Sequence, residues 1–372
     1  MRCAAALSTH PIASHATGDV IADILELGDE RPDVAIVFAT SAFSGAAEDI
    51  LRTVKTILQP KKVLFAASSG VLGAGSEVSS GAAISLWAFW FQAADEGVTF
   101  VRLDEGVEGL DYFSTRLLAN AETLVVLGDP SLPMVTQTVE SLCELSRTKN
   151  ISGGLLTGSN GPPLLCDGDS EVYGCVAIAF DSSNAQATLA HRSSAISGTM
   201  TVSRSVGSMV CEIDGVLALD AAHGVLSQLP TEERSRSASR LGLAVLDSES
   251  LSVIDVHEVL GADRESGALA VAAVLPAGTV VAFHRNEESD SFAGIDVALG
   301  GPAAAGALIF ACATVDPEAE HEGVGDLGPL TETLGTAAYA GVHVATVIGP
   351  GSSGPKLSAA PLSAVIFGRR HH

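Results

Sequence analysis

A segment near residue 70 combines hydroxyl, glycine and carboxylate groups in a way that could bind a small polar molecule. The residues that would make the contacts are Ser68, Ser69, Gly70, Gly73, Gly75 and Glu77. Glycines let backbone N–H groups approach a ligand closely, and serine hydroxyls rotate to fit a donor or an acceptor. An amino acid could place its carboxylate on these N–H groups and its ammonium group on Glu77. A turn that needs glycine only for a positive φ explains the same residues equally well.

Further along the chain, four residues could add groups to such a site. Asp129 follows an apolar run and precedes a proline, a position that is equally typical of a turn. Gly153 and Gly154 would allow either the close approach of a ligand or tight packing of the backbone. Arg285 could bind an anion in a cleft, or could simply end a surface strand.

No recognisable catalytic or metal-binding motif occurs in the sequence. It contains no Gly-x-Ser-x-Gly, no His-Glu-x-x-His and no phosphate-binding Gly-Lys-Ser/Thr. We interpret His343, inside an apolar run, as a core histidine, and the acidic stretch 316–322 around His321 as a solvated loop. We therefore expect no haem, metal or other cofactor. A hydrolase or lyase that uses Ser68, Ser69 or a cysteine is the alternative.

The charge, the apolar runs and the cysteines indicate which partners and which compartment the protein has. The net charge of −24 disfavours nucleic acid and anionic membrane surfaces, since both require an excess of Lys and Arg. No apolar run is long enough to cross a membrane, and we interpret residues 267–283 as a hairpin with a turn at 276–278. The six cysteines form no Cys-x-x-Cys pair, and the N-terminus does not resemble a signal peptide. We therefore expect a cytoplasmic protein with no membrane insertion.

The candidate residues lie on a repeated order of elements. Residues 34–75, 124–158 and 307–351 each contain an apolar strand-like run, a helical pattern and a second apolar run that ends in glycine. The predicted helices cover 45–58, 133–147 and 329–339. This order predicts an α/β protein with mixed sheets and duplicated strand–helix–strand units, compatible with helix–sheet–sheet–helix layering. Ligands commonly bind at the carboxyl ends of strands in such sheets.

Several segments, taken in order, resemble the FIST sensory family, and in particular members with an N-terminal and a C-terminal FIST half. The runs that carry the resemblance include Asp33-Val-Ala-Ile-Val-Phe-Ala39, residues 66–77, Gly128-Asp-Pro-Ser131, Gly174-Cys-Val-Ala-Ile178, Thr201-Val-Ser-Arg-Ser-Val-Gly207 and Glu212-Ile-Asp-Gly-Val-Leu-Ala218. On this basis we expect an N-terminal half at residues 1–190 and a C-terminal half at residues 191–372. Several polar runs of the family are replaced in the second half, among them the run at 193–197, so we expect the first-half loop to be the better-kept site.

The resemblance implies a ligand-sensing module in signal transduction that binds small molecules such as amino acids. We therefore expect non-catalytic binding of a small polar ligand, with an output through a signalling protein partner. Besides the enzyme, a scaffold protein with a degenerate ligand site is a second alternative. A nucleophile and a base within hydrogen-bond reach would favour the enzyme, and a filled cleft would favour the scaffold.

Overall fold

The structure is a computed structural model, and it describes residues 1–28, 30–92, 97–158, 163–167, 170–172, 174–181, 184–190, 193–246, 248, 251, 253–286, 304–312, 324–351, 354–358 and 360–368. The chain divides into two compact units, Met1–Thr188 with Ala298–His372, and Leu189–Val297. The sequence predicts a single boundary near residue 190, whereas the chain returns to the first unit near residue 298. It returns because the larger sheet of the first unit is built partly from strands near the end of the chain.

The elements of the described residues are as follows. The helices are α1 (Ala13–Glu26), α2 (Ala47–Leu58), α3 (Tyr112–Asn120), α4 (Val135–Leu145), α5 (Ala218–Gln228), α6 (Thr231–Ser239) and α7 (Gly328–Leu334), and a 3₁₀ turn (Ser41–Ala46) precedes α2. The strands are β1 (Arg2–Ser8), β2 (Val34–Thr40), β3 (Lys62–Ser68), β4 (Val71–Gly73), β5 (Ser76–Val78), β6 (Ile84–Trp90), β7 (Gly97–Leu103), β8 (Thr123–Gly128), β9 (Ile151–Leu156), β10 (Leu164–Cys166), β11 (Ser170–Glu171), β12 (Cys175–Asp181), β13 (Ala185–Ala190), β14 (Ser193–Ala195), β15 (Met200–Val206), β16 (Met209–Ile213), β17 (Val216–Leu217), β18 (Leu241–Leu246), β19 (Val253–Asp263), β20 (Ala268–Val271), β21 (Val280–Asn286), β22 (Ala304–Cys312), β23 (Val324–Asp326), β24 (Tyr339–Gly349), β25 (Lys356–Ser358) and β26 (Leu362–Gly368).

The first unit contains two mixed sheets. One has the order β1–β6–β2–β3–β10–β11, and the main path of the other is β13–β26–β22–β24–β9–β8–β12–β7. The pairs β2/β3, β8/β9 and β22/β24 are parallel, and a helix connects the two strands of each pair. Each of the three predicted stretches therefore forms strand, helix and strand. The third helix ends five residues earlier than predicted, because Gly335 adopts a left-handed conformation with φ of 65°.

Continuous apolar runs form the central strands because both faces of the first sheet are covered. All seven residues of β2 and all seven of β6 are buried. On one face, Ala35 and Val37 pack with the apolar sides of α1 and α2, including Val20 and Val54. These contacts explain why α2 keeps its apolar residues on one stripe and its charged residues on the opposite side.

Aromatic rings fill the space between the two sheets. Trp87 and Phe89 of β6 contact Phe367 of β26, with ring centroids 5.2 and 5.0 Å apart, and Phe89 lies 6.0 Å from Phe180 of β12. On the outer face of the second sheet, α3 and α4 pack through a cluster that includes Leu142. The first unit is thus layered helix–sheet–sheet–helix, and the predicted α/β class with mixed sheets is confirmed.

The second unit is built around a closed antiparallel barrel. Its six strands follow the ring β21–β15–β16–β20–β19–β18, and the pairing of β18 with β21 closes it. One hydrophobic cluster takes residues from all six strands and from α5, with Phe283 among its fully buried members. The predicted hairpin over 267–283 is wrong. Its two strands, β20 and β21, are separated in the ring by β15 and β16, because closure of the barrel pairs each of them with other strands.

None of the helices in the described part of the chain combines the length and the apolar composition needed to cross a membrane.

Candidate functional site

The 68–77 segment folds back onto β24. Ser68 ends β3, after which β4 and β5 form a hairpin with Ala74 and Gly75 at its turn. Both turn residues have positive φ, 47° and 90°, as a tight two-residue turn requires. Strand β4 pairs with β24, Leu72 opposite Gly341, and this pairing brings the segment beside His343.

Three hydroxyl groups meet where β3 and β9 end. The hydroxyl of Ser68 is buried, donates to the carbonyl oxygen of His343 at 2.6 Å, and accepts from the backbone N–H of Thr157 at 2.9 Å. The backbone N–H of Ser69 donates to the hydroxyl of Thr157 at 2.9 Å, and the two hydroxyl oxygens lie 2.6 Å apart. Because Ser69 and Thr157 are partly exposed, this hydroxyl cluster is accessible from one side.

A histidine–glutamate pair joins β24 to β5. Nε2 of His343 is 2.6 Å from Oε1 of Glu77, and the two side chains are 8% and 29% exposed. The ring nitrogen Nε2 donates to the carboxylate, so in the neutral imidazole Nδ1 is the acceptor. Gly70 lies directly against this ring, since a Cβ at that position would overlap Nδ1. The pair fixes Glu77 at the edge of the site.

The other predicted residues have different surroundings. Gly73 packs against Ser85, and Gly154 packs against Val344. Gly153 has φ of 145°, and a Cβ there would overlap the carbonyl oxygen of Val126 on β8. In these positions the glycines allow tight packing between strands.

Asp129 and Arg285 are held by local contacts. A carboxylate oxygen of Asp129 accepts from the backbone N–H of Ser131 at 2.9 Å, which forms a turn after β8. Arg285 lies in the second unit, where its Nη1 is 3.0 Å from Oε2 of Glu233 on α6. The structure thus brings Ser68, Ser69, Gly70 and Glu77 together.

Two residues of the site were not predicted from the sequence. Thr157 follows the carboxyl end of β9, which is the kind of position where α/β proteins place ligand contacts. His343 is a polar residue in a buried apolar strand, and the sequence gives no sign of its partner, which is 266 positions away. The tertiary pairing of β4 with β24 is what joins the two residues.

The arrangement supports binding better than catalysis. In the hydroxyl cluster, Ser68 and Ser69 bond to Thr157 and to the backbone of His343, and neither hydroxyl bonds to the histidine ring. A serine–histidine contact does occur in the second unit, 2.9 Å between Oγ of Ser193 and Nδ1 of His284. Both of those residues are buried, with 1% and 2% exposure, so that a substrate could not reach them as they stand.

The described residues show neither a reactive thiol with a lowered pKa nor a cluster of metal ligands. Burial raises the pKa of Cys143 to about 11, and the pKa of Cys166 and of Cys175 to about 12, so these thiols are protonated at neutral pH. No group of three or more His, Cys, Asp or Glu side chains in the described ranges is placed to hold a metal ion. The acidic stretch 316–322 with His321 lies outside the described residues.

The sequence of this chain is similar to those of known proteins. Two curated relatives extend over nearly the whole chain. One, an uncharacterized protein of Mycobacterium tuberculosis, is 21% identical over 366 residues, which is 94% of this chain and 95% of the relative. The other, an uncharacterized protein of Mycobacterium bovis, is 22% identical over 371 residues, or 94% of each chain. Their names state no ligand or activity.

A family model gives the more specific result. Residues 33–216 match the FIST N domain, and this range contains the 68–77 segment and Thr157 but not His343. FIST domains are regarded as sensory domains of signal transduction. The match confirms the resemblance predicted from the sequence, since residues 33–216 of the chain are similar to the FIST N domain.

Proposed function

We propose that this protein is a sensory protein that binds a small polar metabolite, such as an amino acid, beside the 68–77 segment. The observation that carries the proposal is the polar cluster formed by Ser69 and Thr157, at the ends of β3 and β9, together with Glu77 of β5. All three residues are partly exposed. The FIST match supports the sensory role.

The two parts of the cluster suit the two ends of an amino acid. The hydroxyls of Ser69 and Thr157 bond to each other at 2.6 Å, and either hydroxyl can rotate to donate to a ligand carboxylate. The carboxylate of Glu77 is held by His343 and is 29% exposed, so it can accept from a ligand ammonium group. His343 would act as a positioning residue, because its own side chain is 8% exposed.

The output of such a sensor would pass to a signalling protein partner, because ligand binding by itself transmits nothing. We also propose that the protein acts in the cytoplasm. All six cysteines are free of disulfide bonds, which fits a reducing compartment.

A thermal-shift screen of amino acids and small organic acids, followed by calorimetric titration of the compounds that stabilise the protein, tests the proposal. Ser69→Ala and Glu77→Gln each remove one ligand contact. We expect each to weaken binding about ten- to a hundredfold, because loss of a charge-assisted hydrogen bond costs about 1.5–3 kcal/mol.

Two variants serve as matched controls. Ser80→Ala and Glu26→Gln make the same chemical changes at exposed positions that are not part of the cluster, and both should leave the affinity unchanged. If Ser69→Ala and Glu77→Gln bind the ligand like the unmodified protein while remaining folded, the ligand binds elsewhere and the proposal fails.

A further inference from the structure

An open cleft of about 550 Å³ lies in the first unit, away from the 68–77 segment along the chain. One wall is the C-terminal half of α4, the next is the segment 146–149 that follows this helix, and the opposite wall is formed by residues 354–357 at β25. A volume of this size falls within the range of about 300–1,000 Å³ that is usual for small-molecule sites.

The walls of the cleft carry opposite charges. Glu140 and Glu144 lie one turn apart on α4, and both are exposed. Arg147 and Lys149 follow the end of the helix, and Lys356 lines the cleft from β25. An ammonium group is therefore favoured at the helical wall, and a carboxylate is favoured at the basic end.

The floor between these walls is partly apolar. Val139 is buried, and Cys143 and Leu357 pack against the hydrophobic cluster beneath the second sheet. The cleft therefore has an acidic wall, an apolar floor and a basic end. Such a surface matches a molecule with a charge at each end and an uncharged body.

The separation of the charges indicates the size of that molecule. At about 1.5 Å per helical residue, Glu140 lies about 7.5 Å from the end of α4 at Leu145, and Arg147 lies two residues beyond that end. An extended peptide spans about 3.3–3.6 Å per residue, so two or three residues bridge this distance whereas a free amino acid does not.

We propose that the cleft beside α4 binds a short peptide of two or three residues with both termini free. The peptide ammonium group lies against Glu140 and Glu144, and its carboxylate lies against Arg147, Lys149 and Lys356.

The hydroxyl group of Ser146 is a second, independent observation that points to a ligand in the cleft. Its hydroxyl oxygen is buried and has no hydrogen-bond partner among the described residues, and the residue lines the cleft. Buried polar groups are nearly always paired, so an unpaired hydroxyl beside a cleft calls for an explanation. Rotation about the Cα–Cβ bond would let this hydroxyl bond to a peptide group of the ligand.

Calorimetric titration with three probes tests the proposal: trialanine, the same peptide with both termini blocked, and free alanine. A mixture of free-terminus tripeptides covers the case in which larger side chains are needed. We expect trialanine or the mixture to bind, and the blocked peptide and free alanine to bind at least about fivefold more weakly, since each lost exposed ion pair contributes modestly.

Charge variants then locate the site. Glu144→Gln and Lys149→Gln should each weaken peptide binding about two- to fivefold, while Glu26→Gln and Arg264→Gln, which remove exposed charges elsewhere, should not. A bound peptide should also slow alkylation of Cys143 at pH 7, where the peptide amine is still charged, and leave that of Cys312 unchanged.

Variants distinguish failure of the peptide proposal from failure of the proposed function at the 68–77 segment. Ser69→Ala should leave peptide binding intact, and Glu144→Gln should leave binding at the 68–77 segment intact. The peptide proposal is overturned if neither trialanine nor the mixture binds, if the blocked peptide binds equally well, or if the cleft variants bind like the unmodified protein.

Discussion

At the scale of single residues, the contact between His343 and Glu77 fixes one edge of the site. The ring of His343 is almost buried, and its Nε2 is 2.6 Å from the carboxylate of Glu77. If a buried N–H group loses its acceptor, its desolvation is no longer offset by a hydrogen bond, and the folded state is destabilised. The pair therefore stabilises the β4–β5 hairpin against β24, as well as presenting Glu77 to a ligand.

Replacement of Glu77 should separate these two roles. Glu77→Ala leaves the ring N–H of His343 unpaired and should lower the free energy of unfolding by about 1.5–3 kcal/mol, measured by urea denaturation. Glu77→Gln keeps a carbonyl oxygen as acceptor and should lose clearly less. Equal stability of Glu77→Ala and the unmodified protein would show that the pair does not hold the hairpin.

The reactivity of Cys143 should follow its raised pKa. Burial, together with the nearby carboxylates of Glu140 and Glu144, raises this pKa to about 11. Only about one thiol in ten thousand is then ionised at pH 7, so alkylation of Cys143 should be slow at neutral pH and rise until about pH 11.

Glu144→Gln provides the check on the cause. Removal of one negative charge favours the thiolate, lowers the pKa of Cys143 and should speed its alkylation at pH 9, followed by mass spectrometry of the modified peptide. A rate profile with its midpoint near the ordinary thiol value, about 8.5, would contradict the assignment.

At the scale of elements, strand β24 brings the carboxyl ends of β3 and β9 together. It pairs with β9, and the carbonyl oxygen of its His343 accepts a hydrogen bond from Ser68 at the end of β3. Strand β24 also pairs with β22 and with the short β4, and so brings three distant parts of the sequence to one place. The glycine at position 153 keeps β9 close to β8, since a Cβ there would overlap the carbonyl oxygen of Val126.

Gly153→Ala should therefore damage the sheet. The strained φ of 145° costs an alanine about 1–3 kcal/mol, and overpacking against β8 costs about 1–3 kcal/mol more. The matched control is Gly158→Ala, where a Cβ meets nothing within 4 Å, and it should be nearly neutral. Similar unfolding curves for both variants would refute this role of Gly153.

The helices and parallel strand pairs could be predicted from the sequence because their signal is local. The helix predicted over 45–58 is α2, Ala47–Leu58, in the structure. Residues 68, 69 and 77 could be selected because they follow a buried strand. Thr157 also follows a strand and so carries the same local signal. His343 could not be selected, because it joins the site only through the pairing of β4 with β24. That the units at 34–75 and 307–351 are duplicates of one another stays a prediction.

At the scale of the whole molecule, the chain forms two units with separate hydrophobic cores. The aromatic contacts around Phe367 fill the first unit, and the cluster around Phe283 fills the barrel of the second. Closure of the ring could not be predicted from the sequence, because it depends on the pairing of β18 with β21, which are far apart in the sequence.

Separate cores should unfold separately. Phe283→Ala should destabilise the second unit by about 3–5 kcal/mol and shift only its transition in differential scanning calorimetry. Phe367→Ala, an equal change at a fully buried position of the first unit, should shift only the other transition. One transition that moves equally in both variants would show that the two units unfold together.

The central claim is that a small polar metabolite binds beside the 68–77 segment, and a crystal structure with the compound that most stabilises the protein tests it most directly. We predict that electron density for the compound will lie within hydrogen-bond distance of Ser69 or Thr157 and of Glu77. Density for the compound at any other place, with this cluster unoccupied, would contradict the account.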